Sequence, residues 1–362
     1  MEKDELIMRQ CLILGKQGES FVSPNPMVGC VIVKNNKTLS YGYHKFFGDK
    51  HAEIDALDKI KGNAKGATLY VNLEPCSHQG KTPPCVDRII SEGIQEVFIG
   101  SLDPNPLVNG RGVEKLRGYG ILVKTGVIEA ECREFNKMFY FANENKKAFV
   151  TLKIALSKNF CLTSKNKEKV QISNNYTSKI IHKLRSIHSG ILVSANTVIS
   201  DDPMLTVRNI KGKNPTRIIL DREEKLNLEK YQIAKNKEAN NIIIAGHKSN
   251  NPKYEETASS LQIQIIKVKE ENGFIDFTDV QKQLYENNIL SVLIESGVAL
   301  TKNLIKNKIP NNIMVVIGQN EINNGLSPFK AKSIENLIKE IGFKEYSQRD
   351  ISGDIMIEGT LQ

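Results

Sequence analysis

Residues 51–60 read HAEIDALDKI, residues 67–76 read ATLYVNLEPC, and a further cysteine stands at Cys85. In the first stretch Ile54, Ala56, Leu57 and Ile60 recur at the spacing of one helix face, predicting a helix over His51–Ile60. The second is a run of apolar, β-branched and aromatic residues stopped at Glu74-Pro75, which predicts a strand over Ala67–Leu73. Cys85–Ser91 again has helical spacing and is closed by Gly93. Helix, strand and helix in succession call for a layered α/β domain. In such a domain His51 opens one helix, Cys76 lies where a strand runs out and Cys85 opens the next helix. Side chains at element ends can converge on one point.

One imidazole and two thiolates are a zinc ligand set, and a catalytic zinc keeps three protein ligands and one water. A helix start also favours the thiolate form of Cys85. Glu53 stands two residues after His51, close enough to face the water without being a ligand. A metal at this point lowers the water's pKa toward ~7, and Glu53 would carry the proton to a leaving amine. His-x-Glu followed by Pro-Cys and a second Cys is the pattern of zinc deaminases acting on nucleobases. Here the two cysteines are separated by eight residues, SHQGKTPP, rather than two. That basic, polar insertion beside the metal makes His78 and Lys81 candidates for gripping a substrate phosphate. A closed structural zinc needs a fourth ligand, and either His78 or His44 could supply it.

The rest of the chain supports two domains. Its 362 residues exceed the usual ~100–200 of one domain. With 40% hydrophobic and 25% charged residues it is an ordinary globular composition. The first twenty residues lack a signal-peptide core. The uncharged, apolar-leaning run Ser189–Ser200, interrupted by Asn and Ser, falls far short of the ~20 residues of a membrane span. A cytoplasmic protein is expected, with no membrane partner. Its six cysteines then need not form disulfides. Cys11 and Cys30 sit in apolar patterns and read as core residues. Cys132 and Cys161 suggest no chemistry. The net charge of +9 lies mainly in the second half, with +2 over residues 1–147 and +7 over residues 148–362. The excess is dispersed Lys, which suits phosphorylated small molecules better than nucleic acid.

Further elements are expected as follows. Asp4–Lys16 and Val113–Tyr119 are helices, and Ile128–Phe141 is one long helix. Met27–Val33, Tyr41–Lys45, Val97–Ser101 and Ile121–Thr125 are strands. The polar run Asn143–Lys147 is the expected linker, which divides the chain into 1–147 and 148–362. Beyond it, strands are expected at Phe149–Ala155, Gly190–Ser194, Arg217–Leu220, Asn241–Ala245, Ile263–Val268, Ser291–Glu295 and Ile313–Ile317. Helices fall between several of them, at Tyr176–Ile187, Asp279–Asn287 and Ala299–Asn307. That is a second α/β sheet, mostly parallel.

Four stretches together carry a resemblance: SPNPMVGCVIV (23–33), HAEIDAL, LEPCSHQGKTPPC (73–85) and DPNPLVNGRG (103–112). They resemble the deaminase domain of the bifunctional deaminase–reductases of riboflavin biosynthesis. The second half continues the likeness at SANTVISDDPMLTVR (194–208), Thr216–Asp221 and Ile294–Gly297. The resemblance implies a cytidine-deaminase-like α/β/α sandwich followed by a dihydrofolate-reductase-like α/β domain. It implies one zinc ion and NADPH as cofactors, a phosphorylated pyrimidine as substrate, and a homo-oligomer. Glu53 would be catalytic, with His51, Cys76 and Cys85 on the metal. Asn25, His44, His78 and Lys81 would touch the deaminase substrate. Ala155, Gln171, Thr197, Asp201 and Gly297 would line the NADPH site. Lys169, Arg185, Leu205, Arg208 and Glu295 would meet the reductase substrate.

The sequence departs from the family in the second half. Ser157-Lys158-Asn159-Phe160 replaces a Ser-Leu-Asp-Gly turn, Gln171-Ile172-Ser173 replaces a Trp-Ile-Thr motif, and Lys169 stands where a Ser is usual. Three other readings follow from the residues: a deaminase with a non-catalytic second domain, a nucleic-acid base deaminase, and a zinc-stabilised binding module.

Overall fold

The computed structural model of the chain describes residues 2–77, 83–105, 108–165, 170–271 and 273–361. The chain forms two compact units, Met1–Asn145 and Lys146–Gln362.

The first unit runs α1 (Glu2–Lys16), β1 (Gly29–Lys34), β2 (Lys37–Tyr43), α2 (Ala52–Ile60), β3 (Thr68–Leu73), α3 (Cys85–Ser91), β4 (Glu96–Ser101), α4 (Arg111–Gly118), β5 (Leu122–Thr125), α5 (Glu129–Phe135) and α6 (Lys137–Asn145). The five strands lie in the order β2-β1-β3-β4-β5. β1 is antiparallel to both neighbours, and β3, β4 and β5 are parallel. Because strand side chains alternate between faces, each strand feeds two cores. Cys30, Ile32, Leu69, Val71, Val97 and Ile99 pack with α2, α3 and α4. Val31, Tyr70 and Phe98 pack on the opposite face with Met8 and Cys11 of α1 and Cys132 of α5. The result is the expected three-layer sandwich. Gly29 allows α1 to lie flat on β1, since a Cβ there would stand 2.0 Å from the Cys11 carbonyl oxygen.

The single helix expected over Ile128–Phe141 is broken at Asn136. That residue leaves helical geometry (φ −114°, ψ 29°) and turns its amide onto Met27, accepting from Met27 N and donating to Met27 O, both at 2.9 Å. A tertiary hydrogen-bond pair outweighs helix propensity here. α6 then runs through Asn145, so much of the polar run Asn143–Lys147 is helical.

The second unit runs β6 (Phe149–Leu156), α7 (Asn175–Ile187), β7 (Gly190–Ser194), α8 (Ala195–Asp201), β8 (Thr216–Leu220), β9 (Asn241–Gly246), α9 (Pro252–Ser260), β10 (Gln264–Val268), α10 (Phe277–Glu286), β11 (Ser291–Glu295), α11 (Val298–Lys306), β12 (Asn312–Ile317), α12 (Ile334–Ile341), β13 (Phe343–Ile351) and β14 (Asp354–Leu361). Its nine-stranded sheet has the order β10-β9-β8-β7-β11-β6-β12-β14-β13. Every pairing from β10 to β12 is parallel, and only β14 and β13 are antiparallel. The closing hairpin escaped the sequence reading. Its signal was Ser352-Gly353 between strand-like runs, and both residues take positive φ (52° and 96°), as a two-residue hairpin turn requires. β13 is a charged, exposed edge strand, which resists further pairing.

His188 caps α7 from inside the core, 3% exposed. Its Nδ1 donates to Leu184 O at 2.7 Å, and its Nε2 accepts from Thr151 Oγ1 at 2.9 Å. That pairing suits a neutral ring, and burial lowers its pKa from 6.5 to about 4. Between those values the unfolded chain holds a proton that the folded chain does not. Stability is therefore full above pH ~6.5 and falls as the pH drops toward 4, by up to about 3 kcal/mol for this ring. Urea titrations at pH 7.5 and 5.0 should show the midpoint falling. In His188→Asn the fall should be smaller, and an equal fall would refute the assignment.

Candidate metal centre and reductase cleft

The three predicted ligands do converge. His51 immediately precedes α2, Cys76 follows β3, and Cys85 is the first residue of α3. His51 Nδ1 lies 3.2 Å from Cys85 Sγ and 3.6 Å from Cys76 Sγ. Bonds of ~2.0 Å to nitrogen and ~2.3 Å to sulfur in a tetrahedron separate the two donor atoms by about 3.6 Å. The donor set therefore fits zinc in both chemistry and spacing. The Cys85 backbone N–H donates to Cys76 Sγ at 3.3 Å, as it would to a thiolate. Hydrogen bonds from Cys85 and His51 hold the Cys76 thiol far below its usual range. The Cys76 bond in turn pushes Cys85 up. A hydrogen bond to Cys76 likewise raises His51 to about 9, so zinc binding would release protons from both Cys85 and His51, the ligands binding as thiolates and a neutral ring.

Beside the ligands is a cavity of about 290 Å³ lined by Asn25, His44, His51, Glu53, Glu74 and Cys76, among others. Glu53 lies in the first turn of α2 and is 3% exposed. Burial raises its pKa, and His51 opposes the rise. His44 Nδ1 is bonded to Lys50 O at 2.9 Å and its Nε2 to Asn25 Nδ2 at 3.1 Å. Both ring nitrogens are thus engaged, and His44 is not among the metal-ligand group. Asn25 lies in the loop that leads into β1, its N–H donating to Val22 O at 2.8 Å. Asn136 and Asn72 both grip the Met27 peptide, two residues further along the loop. Neither asparagine carried a motif signal. His78 and Lys81 lie outside the described residues.

In the second unit the chain leaves β7 through α8 toward β8, and leaves β11 through α11 toward β12 on the other side. The order therefore reverses between β7 and β11, and ligands of such sheets bind outside the carboxyl ends at that reversal. Thr197 and Gly297 flank it. Thr197 sits in α8, its N–H donating to Ser194 Oγ at 3.3 Å. Gly297 begins α11, and a Cβ added to it would meet nothing within 4 Å. That open ground beside a helix start fits a cofactor phosphate. Asp201 ends α8 and is exposed, and Ala155 lies near the end of β6 next to β11. Gln171 lies over the end of β12, where its carbonyl accepts from Asn320 Nδ2 at 3.0 Å.

The four described substrate candidates of this half are assembled together. Glu295 ends β11 and forms a two-pronged pair with Arg185 of α7, Nε–Oε1 2.8 Å and Nη2–Oε2 3.0 Å. Arg185 also reaches Thr206 O at 3.4 Å, and Arg208 Nη1 donates to Thr206 Oγ1 at 3.1 Å. Leu205, in the same loop, takes a positive φ of 54° while buried, a strained choice of a kind that clusters at functional sites. Two residues were missed. Lys153 Nζ stands 3.7 Å from Glu295 Oε2, and His182 Nδ1 accepts the Arg208 N–H at 3.0 Å. No motif marks them, because a lone Lys in a strand and a lone His in a helix read as ordinary. Lys169 lies outside the described residues.

The variant turn closes well. Asn159 accepts from Ser157 Oγ and Ile322 N, and its Nδ2 donates to Ile322 O. Phe160 adopts φ 60° at the position where a glycine is usual.

Fold and site together define a zinc-dependent deaminase joined to a doubly layered reductase unit. Residues 1–101 match the cytidine and deoxycytidylate deaminase zinc-binding region, and residues 148–319 match the RibD C-terminal domain. The riboflavin biosynthesis protein RibD of Aquifex aeolicus (strain VF5) is 39% identical over 342 residues, covering 93% of this chain and 94% of its own. That of Escherichia coli (strain K12) is 32% identical, covering 87% of each. A solved deaminase/reductase of Thermotoga maritima covers 99% of each chain at 31% identity, with a TM-score of 0.81. Acinetobacter baumannii RibD gives 0.86 at 27% identity. The chain belongs to the RibD family of riboflavin biosynthesis, bifunctional deaminase–reductases whose cofactors are Zn2+ and NADPH. Full-length relatives that span both halves are not what a stand-alone nucleic-acid base deaminase predicts.

Proposed function

We propose that the cavity beside His51, Cys76 and Cys85 hydrolyses the ring amine of 2,5-diamino-6-ribosylamino-4(3H)-pyrimidinone 5′-phosphate. The cleft of the second unit would then reduce the ribosyl group of the product to ribityl. The observation that carries this is a buried carboxyl, Glu53, lining the same cavity as His51 and Cys76 of the three-donor metal set. Zinc, when bound there, supplies Lewis acidity that lowers a water's pKa from about 15.7 toward ~7. Glu53 takes a proton from the attacking water and returns it to the leaving ammonia. Asn25 and His44 orient the ring, and the resemblance adds His78 and Lys81 on the phosphate side.

In the cleft NADPH supplies the hydride. Ala155, Gln171, Thr197, Asp201 and Gly297 hold the cofactor in this reading. Arg185, Leu205, Arg208, Glu295 and Lys169 hold the substrate. Arg208 is exposed and near Arg185, which suits a phosphate clamp. Glu295 fixes the Arg185 fork. The resemblance further implies a cytoplasmic homo-oligomer, to be checked by sedimentation; no described helix is long and apolar enough to cross a membrane.

Assaying ammonia and NADPH separately tests the whole reading. The pyrimidine alone should release ammonia, and the deaminated product should oxidise NADPH. Removing zinc with a chelator should end ammonia release while NADPH oxidation on supplied product continues. Ammonia release by the metal-free protein would overturn the deaminase assignment. Absence of NADPH oxidation would leave the second unit without its assigned reaction.

A further inference from the structure

The cavity holds a second buried carboxylate besides Glu53. Glu74 follows β3, precedes Pro75-Cys76, and is 4% exposed. Its Oε2 accepts the N–H groups of Asp103 (3.2 Å) and Gly110 (3.0 Å), and its Oε1 those of Gly112 (3.0 Å) and Val113 (3.3 Å). A carboxylate has about four lone-pair sites, and in Glu74 four backbone donors occupy them. The segment it gathers is tightly fitted. Gly110 has φ 78°. A Cβ on Gly112 would lie 2.4 Å from Pro75 O and 3.1 Å from Glu74 Oε1. Asp103, Asn105 and Val108 line the cavity together with Asn25 and His44.

We propose that Glu74 is a positioning residue of the deaminase: its carboxylate clamps the backbone at Asp103, Gly110, Gly112 and Val113 beside Cys76, so that Asp103, Asn105 and Val108 form one wall of the substrate cavity. The chemistry suits the task. Charge-assisted bonds to N–H groups are roughly twice as strong as neutral ones, and one anion gathers Asp103 and Gly110 before α4 together with Gly112 and Val113 of its first turn, whose N–H groups have no partner within the helix. The two cavity carboxylates thereby divide the work: one moves a proton and the other holds a wall.

The inference rests on the deaminase reading, which ammonia release by the unaltered enzyme tests independently. Glu74→Gln keeps the size but turns an amide N–H2 toward two donors. In the zinc-loaded full chain its KM for the pyrimidine should rise at least tenfold, while kcat falls less than threefold. Zinc should stay at one per chain, NADPH oxidation on supplied product should be unchanged, and hydrogen exchange at Gly110 and Gly112 should quicken. An unchanged KM, or a loss confined to kcat, overturns the proposal. Gly112→Ala displaces the same segment with the Glu74 charge intact, so it decides if Glu74→Gln fails to hold zinc. A raised KM at full zinc supports the clamp, and an unchanged KM refutes it.

Discussion

Replacing Glu53 with Gln should lower the deaminase kcat by ~10²–10⁴-fold, the usual contribution of a positioned general acid–base, or about 3–5 kcal/mol of barrier. The zinc content should not change. Glu53 is two residues along α2 from the ligand His51 and stands outside the ligand group His51, Cys76 and Cys85. The amide fills the same buried space without leaving a void, so lost activity cannot be charged to a collapsed core. What it lacks is a site that can accept a proton from water. The contrast with Glu74→Gln is informative, since that change should act on KM and this one on kcat. Ammonia release measured beside metal analysis checks the outcome. Turnover retained at full zinc would mean that another group carries the proton.

Arg185→Met should abolish most of the reductase activity and cost about 3 kcal/mol of stability. Arg185 and Glu295 side chains are only 13% and 16% exposed. Burial alone would raise the Glu295 carboxyl, but Lys153 and Arg185 together pull it down to about 2. Removing one partner of a buried pair leaves the other charged and poorly solvated, at ~3–5 kcal/mol. Lys153, 3.7 Å away, softens this toward the lower figure. A depressed carboxyl stabilises the fold above its unfolded pKa of about 4.5 and loses that contribution as the pH falls toward 2. Without Arg185 the folded carboxyl titrates closer to its unfolded value, so the loss of stability below pH 4.5 should be smaller than in the unaltered chain. The double change Arg185→Met with Glu295→Leu should recover much of the stability, because apolar replacements of buried pairs are often neutral, yet should not recover NADPH oxidation. Urea midpoints and NADPH oxidation separate the two effects. Normal reductase kinetics in the single variant would remove Arg185 from the substrate site.

The elements nearest the metal were legible because their signals are local. The helical spacing of Ile54, Ala56, Leu57 and Ile60, and the strand run stopped by Glu74-Pro75, depend on neighbours within one or two turns. The ligand set was legible because Cys and His at element ends have few other uses in an α/β domain. Asn136 could not be read, since its helix-breaking role exists only once Met27 lies beside it, 109 residues away in the chain. The same holds for Lys153 beside Glu295 and for His182 beneath Arg208.

By itself the amino-acid sequence determined the alternation of elements, the metal-binding residue types and the family, because each is written in short-range spacing and in uncommon residues. Only the tertiary structure decided that Glu53 lines the cavity beside the metal donors while Glu74 is filled by four N–H groups, and that the strand order of the second sheet reverses between β7 and β11. Both depend on which distant backbone segments a side chain meets, and that is set by packing across the sheet rather than by order along the chain.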